Sequence, residues 1–467
     1  MNTLHRLKIL GWAGLGLLGS CGGGDNGVTE LNRGITVAGV AKDHTGEPIA
    51  GATVRVPGTT AVTTGADGRF SIPGVVAPYD IALLPPGANT AVAYAGLTRA
   101  DPSLVYLSFQ LQGAPKTAFI SGTVPPTLGT STVTSLVFIS GRYVIGSAAA
   151  DPTTGDYSFN VQWHGAADTQ TGRLYLLRWT ADAVSGLPAS YDGYASKALV
   201  ISAGSAYNGN DFAATELIDP PEQTISGTVA IPPGYTQRWR RFFMFLDTVP
   251  VYWEESGSLA GTFTYTVPAV SGVTFGVGVS AEDLASRASF FVKNRISGNS
   301  TNVSMSLVPA PQLTQPVNGA ADVDATTSFT WSEGGGAGVN LVLVTPADAT
   351  SGSPAFEVLT TAAHAKIPDL AAEGMGLPAT TAYQWLVDKV FPVASVDDAA
   401  DNGFLDLIGW DPEQVGETLS ESFAFTTKSA AGTAVRASAV GPWAAAVQAV
   451  RQGRVMGGAP GIPMNPR

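Results

Sequence analysis

Between residues 34 and 428 the chain runs in stretches of four to eight residues in which apolar and polar positions alternate. Val, Thr, Ile and aromatic residues fill these stretches, and Gly, Pro, Asp and Asn separate them. Period two over so short a run predicts a half-buried β-strand. Three segments begin alike, at Ile35–Val40 (ITVAGV), Ile120–Val124 (ISGTV) and Ile225–Val229 (ISGTV). A second matching strand follows 29 to 34 residues after the glycine of each: Gly68–Ile72 (GRFSI), Gly155–Phe159 (GDYSF) and Gly261–Tyr265 (GTFTY). Gly-x-aromatic-x-apolar reads as a turn glycine entering a strand whose alternate residues point inward. Further alternating strands close the segments near Tyr106–Leu111, Asp211–Leu217 and Val303–Val308. Self-similarity at about 85–105 residues predicts tandem β-sandwiches rather than a short-period solenoid.

From residue 310 the pattern changes. Strands are predicted around Phe329–Trp331, Tyr383–Val387 and Phe423–Thr427, with a long insertion at 392–420. After 428 the alternation stops. Gly441-Pro442 followed by Trp443, Val447 and Val450 predicts a short amphipathic helix ending at Gly453, and residues 456–467 read as disordered. The predicted organisation is 1–20, a signal peptide; 21–33, a tether; 34–113, 117–218 and 222–309, three repeats; 310–428, a fourth domain; and 429–467, a tail. The fold class is all-β, tandem β-sandwiches with one short helix and disordered ends.

Composition sharpens this in three ways. The 55 glycines and 31 prolines supply turns for many short strands. Only 13% of residues are charged and the net charge is −12, which argues against nucleic acid, itself a polyanion, as a partner. The single cysteine excludes an intramolecular disulfide and every multi-cysteine metal site.

That cysteine has a telling position. Residues 1–8 carry Arg6 and Lys8 without an acid, and residues 9–20 are apolar and small, a stretch too short to span a bilayer. Leu18-Gly19-Ser20-Cys21 resembles the lipobox of bacterial lipoproteins. The resemblance implies cleavage between Ser20 and Cys21 and acylation of Cys21, so that the partner of the mature N-terminus is a membrane. Several acyl chains, at about 0.8 kcal/mol per buried methylene, anchor stably. Gly22–Gly27 (GGGDNG) reads as a flexible tether, and Gly rather than Asp at position 22 favours the outer membrane.

Two further resemblances concern the domains. Gly46-Glu-Pro48-Ile49-Ala-Gly51-Ala52, followed in register by Asp67-Gly68-Arg-Phe70, resembles the carboxypeptidase regulatory-like domain, a transthyretin-like sandwich. This implies a folding or binding module without catalytic residues. The 310–428 segment resembles a fibronectin type III domain, which is immunoglobulin-like; there Trp331 matches the core tryptophan and Tyr383 the tyrosine-corner residue.

Candidate chemistry is sparse. No nucleophile elbow, H-E-x-x-H or Walker loop occurs in the mature region. His44, His164 and His364 fall in separate segments, and His44 and His164 read as solvated turn residues. No cofactor is expected. Asp397, Asp398, Asp401 and Asp406 in the insertion form a weak calcium candidate, at spacings unlike an EF-hand. Trp163, Trp179, Trp239 and Trp253 are candidate ligand-binding residues, since an exposed aromatic row stacks on sugar rings. Core packing is the competing reading, because the strand from Arg238 to Leu246 is apolar on both faces from residue 242.

The leading expectation is a non-catalytic, lipid-anchored envelope protein displaying binding or spacer domains to an unidentified glycan or protein. The alternatives are a carbohydrate- or polymer-binding lipoprotein using the tryptophans, and an enzyme or calcium site in 392–420. Four domains of about 35–40 Å, if strung out, reach about 150 Å.

Overall fold

The computed structural model describes residues 34–106, 114–127, 129, 131–141, 144–247, 249–257, 259–348, 351–403, 412–429 and 462–464. Ser20, Cys21, the tether, Asp406 and the expected 441–453 helix lie outside the described residues. The chain is all-β, with one helical turn, Val396–Asp398, and short 3-10 and π turns among the described residues.

The repeat has a direct physical cause. In each of the three segments the opening strand lies antiparallel to its Gly-x-aromatic strand, with Gly39 opposite Phe70, Gly122 opposite Tyr157 and Gly227 opposite Phe263. A Cβ on these glycines would stand 2.5 Å from the Phe70 ring, 2.8 Å from the Tyr157 hydroxyl and 2.6 Å from the Phe263 ring. On the other side backbone is as close: 2.3 Å to the Pro102 oxygen, 2.7 Å to the Asn210 carbonyl carbon and 2.0 Å to the Val303 oxygen. The two sequence signatures are therefore one device. The missing side chain lets an aromatic ring lie across the strand and lets a third stretch of chain approach.

Residues 34–106 form a sandwich. Its smaller sheet is Arg69–Val75, Ile35–Asp43 and Ser103–Tyr106, the last pair parallel. Residues 222–306 repeat this arrangement with Thr262–Pro268, Glu222–Ala230 and Val303–Ser306. The second segment departs from it. Its strands make a single seven-stranded sheet, curled so that Ala118 and Ile120 near one end share a core with Ala195 and Ile201 near the other. The expected closing strand at 211–217 is absent. Ala206–Tyr207 and an extended run take its place, where the Asn210 and Phe212 N–H groups donate to the Ser121 and Thr123 carbonyls.

The main departure from a string of domains is a fifteen-stranded sheet. It contains the larger sheet of the first sandwich (Val62–Thr63, Thr53–Arg55, Tyr79–Leu84, Thr90–Leu97). Next come Ala355–Thr360, Val339–Pro346, Ala382–Phe391 and Gln414–Leu419 of the fourth segment. The third segment then follows with Ala288–Ile296, Thr274–Asp283, Tyr235–Leu246 and Val249–Ser256. Two seams make it continuous. Thr90–Tyr94 pairs in parallel with Ala355–Leu359, and Ala288–Lys293 pairs antiparallel with Gln414–Leu419. Three of the four segments thus lie side by side, which corrects the strung-out expectation, and one apolar cluster runs from Val37 and Tyr94 through Leu359 and Val390 to Phe290. The second segment packs onto the third through a core that includes Trp179, Tyr191, Phe242 and Trp253.

The 392–420 insertion supplies seam material. Val393, Val396, Ala399 and Ala400 are buried in the shared cluster, and Gln414–Leu419 is the seam strand itself. In the fourth segment Trp331 is buried, as its proposed role requires. The Tyr383 hydroxyl donates to the Pro354 carbonyl at 2.9 Å, 29 residues upstream, rather than across a short corner. The tail also differs from expectation. Ile462–Pro463 is a strand, parallel to Val251–Tyr252 at the outer edge of the large sheet.

Candidate functional site

The four candidate tryptophans are core residues, which removes the aromatic strip. Trp163, Trp179, Trp239 and Trp253 are 2%, 0%, 7% and 0% exposed. Trp163 Nε1 donates to the Ala167 carbonyl at 2.9 Å. Trp179 meets Trp253 edge-on at 5.6 Å, and Trp253 stacks on Phe242 at 5.5 Å. Trp239 lies between Phe290, 5.3 Å away, and the Arg241 guanidinium, 4.2 Å from its ring centre. Trp163 belongs to the second segment's own core, Trp179 and Trp253 to the core shared by the second and third segments, and Trp239 to the apolar cluster of the large sheet, so each ring faces packed chain rather than solvent.

The neighbouring charges are accounted for in the same way. Arg240 stands opposite Glu255 and Arg241 opposite Glu254, with ion pairs of 2.6 and 2.7 Å. Arg240 also donates to the Tyr265 hydroxyl at 2.8 Å. His44, expected in solvent, is buried, and burial lowers its pKa against the opposing pull of Asp43.

The acidic insertion is a latch. Asp397 accepts from the Thr98 and Arg99 backbone N–H groups at 2.9 and 3.2 Å and from the Thr98 hydroxyl. Arg99 in turn donates to the Asp397 carbonyl at 3.0 Å and to Asp401 at 3.1 Å. Burial pushes the Asp397 carboxyl up, but these donors outweigh it and hold the pKa below the usual carboxylate value. Asp398 is exposed, and its backbone N–H donates to Ser395, the N-cap of the turn. No three carboxylate, histidine or cysteine side chains converge on a metal-sized point among the described residues. Of the four aspartates of the calcium candidate, Asp397 and Asp401 tie the insertion to the first sandwich, Asp398 faces solvent, and Asp406 lies outside the described residues.

Three carboxyls are placed differently, on one face of the large sheet. Asp388 and Glu417 are 3% and 2% exposed and adjoin each other across the Ala382–Phe391 and Gln414–Leu419 strands. Apart from each other, Asp388 Oδ1 and the Glu417 oxygens have no hydrogen-bond partner. Burial raises both pKa values, Glu417 further because of the Asp388 charge, so the pair retains a proton. Glu357, at the seam with Thr90–Leu97, has a buried oxygen without a donor, and burial raises its pKa to about 7. Asp388 and Glu417 are shut away from any substrate, and Glu357 is partly buried with its Oε2 enclosed.

A cleft with accessible polar groups lies beside the core that includes Trp179 and Trp253. It lies between the second and third segments, holds about 420 Å³, and is lined by Arg173, Tyr175, Tyr194, Asp247, Ile218 and Val270 among others. The Tyr175 and Tyr194 rings sit 6.4 Å apart at a 43° tilt. Tyr175 donates to Asp247 at 2.5 Å, and Arg173 to Ser196 at 3.1 Å. Burial, then the Asp247 carboxylate, raises the Tyr175 pKa, and burial raises that of Tyr194. Both phenols therefore stay protonated at neutral pH. Tyr175 already donates its hydrogen bond to Asp247, so Tyr194 is the phenol left to donate to a ligand; both offer ring faces, and neither is a base. This is binding chemistry.

The alternation of the sequence gives no sign of this cleft. A register shift between Arg178 and Trp179 puts Tyr191 and Tyr194, three residues apart, against the same cluster. Strict alternation would have separated them.

No protein-family model matches the chain, and no curated protein matches it. Solved structures it is similar to include the Bacillus anthracis TIE protein, at 11% identity and a TM-score of 0.16, over 59% of this chain and 50% of that one. A tetra-tandem repeat from the extending region of a large adhesion protein matches at 10% and 0.18, over 85% and 100%. The major pilin subunit of Bacillus cereus matches at 9% and 0.14, over 59% and 99%. The chain thus spans half the length of the first. At such TM-scores no functional argument passes from these proteins to this one.

Proposed function

We propose that this is a non-catalytic, lipid-anchored protein of the bacterial outer membrane, whose β-sandwiches form a stiff body that presents a binding surface. The observation that carries the reading is the continuous sheet through the first, fourth and third segments. A stiff body has many buried contacts between its parts and no hinge between its sheets. It suits display better than turnover, which asks for an open, titratable site. The buried carboxyls and the bonded aspartates of the insertion favour the same side. Motif resemblance supports a carboxypeptidase regulatory-like first domain and a fibronectin type III-like fourth, both families used as accessory modules. The cleft at Tyr175 and Tyr194 is the surface we assign to a ligand.

Anchoring rests on Leu18–Cys21 and is tested through Cys21. Cys21→Ser should move the protein from the membrane to the soluble fraction and abolish incorporation of labelled palmitate. Retention of both would sink the anchor while leaving the binding reading to be judged at the cleft.

A further inference from the structure

The outermost full-length strand of the large sheet is Val249–Ser256, which packs Val249, Val251 and Trp253 into the core shared by the second and third segments. A strand in that position offers a row of unpaired backbone groups to any extended peptide. Here the row is occupied by the chain's own C-terminus. Ile462 and Pro463 pair in parallel with Val251 and Tyr252, and the Met464 N–H donates to the Tyr252 carbonyl at 2.8 Å. The Met464 side chain is 5% exposed and belongs to the same core cluster as Trp179 and Trp253. One flexible thioether inserted into a preformed aromatic core, beside a main-chain ladder, is a recurrent way to hold a peptide.

About 30 residues separate this strand from Ser429. Because the segment belongs to the same chain, it meets its own edge intramolecularly, and a free peptide has to compete with that tethered occupant. The contact is also short, two paired residues and one buried side chain, so it exchanges without disturbing the rest of the sheet.

We propose that the outer edge of Val249–Ser256 is a strand-acceptor site for the Ile462–Met464 segment, filled in cis by the chain's own tail and open to that segment of a second copy when the tail is displaced. Backbone pairing supplies tolerance for sequence, and the Met464 position supplies selectivity. Copies that shared one membrane would approach the concentrations at which donors exchange.

The test uses the full-length chain and a fluorescent peptide of residues 461–467. Met464→Asp leaves the body intact and removes the cis occupant, because a carboxylate cannot enter the aromatic core. The peptide should bind this variant saturably. Apparent affinity for the wild type should be at least tenfold weaker, since its tail competes. A peptide with Asp in place of Met should lose tenfold or more against either protein. Deleting 461–467 provides a second vacated edge should the substitution lower the melting temperature. Absence of saturable binding to both vacated variants overturns the acceptor site. Equal binding to wild type and variant overturns the cis occupancy.

Discussion

Glu357 turns the seam between the first and fourth segments into a measurable pH dependence. Its strand pairs with Thr90–Leu97 on one side and Val339–Pro346 on the other, with Glu357 opposite Val92 and Leu343. The Oε2 atom is buried without a donor, and burial alone raises the pKa from 4.5 to about 7. The folded state therefore holds a proton that the unfolded chain gives up near pH 4.5. Stability from this group is complete below that pH, falls as pH rises, and is lost once pH passes about 7. Some 2.5 pH units at about 1.4 kcal/mol each amounts to about 3 kcal/mol. Glu357→Gln removes the titration and keeps the shape. Any constant cost of the amide cancels when the difference between variant and wild type is followed with pH. Urea unfolding at pH 4.5, 6, 7 and 8 should show Glu357→Gln gaining about 3 kcal/mol on the wild type across the series, with most of the change before pH 7. A difference that stays flat within about 0.5 kcal/mol would refute the buried-carboxyl account of this seam. Asp388 and Glu417 push the same way at the other seam, so the wild type itself should be more stable at pH 5 than at pH 8.

Gly227→Ala forces a Cβ to within 2.0 Å of the Val303 oxygen and should cost about 3 kcal/mol or more by chemical denaturation; a loss under about 1 kcal/mol would contradict the glycine–aromatic explanation of the repeat. Arg99→Ala removes the donors to the Asp397 carbonyl and Asp401, so limited proteolysis should cut between 392 and 413 faster while the cores keep their protection. Unchanged cleavage kinetics would show that the latch does not hold the insertion. Trp253→Ala empties the centre of the second–third interface and should cost about 3–5 kcal/mol; a neutral outcome would place that tryptophan outside the core.

The part of the fold legible in sequence is the part made of local pairing. Gly39 and Phe70, or Gly227 and Phe263, lie about 30 residues apart and carry a chemical signature of their contact, because a glycine without a side chain is matched by a ring that covers it. The seams carry no such mark. Thr90–Tyr94 meets Ala355–Leu359 through backbone groups, which every residue but proline possesses, and the side chains on either strand would read the same beside any partner. The cleft was hidden for a related reason. One irregularity beside Trp179 shifts the phase of alternation, and only the paired strand reveals it. The tryptophans misled because aromatic content alone does not tell a strand facing solvent from one facing a second sheet.

The low charge noted in the sequence explains why the segments are joined as they are. A sheet protects an exposed edge with lysines, proline, short strands or a covering element. With 13% charged residues this chain has few lysines to place there. Left separate, the first and third sandwiches would each end on a long apolar strand, Thr90–Leu97 and Ala288–Ile296. Both are instead closed by strands of the fourth segment, Ala355–Thr360 and Gln414–Leu419. Of the two ends of the large sheet's main run of strands, one is the two-residue strand Val62–Thr63, too short to template pairing, and the other carries Ile462–Pro463; a side branch through Phe423–Thr427 ends on the four-residue strand Ala320–Val323. The fourth segment and the C-terminal strand thus cover edges at different places, and the 392–420 insertion supplies the strand of the second seam.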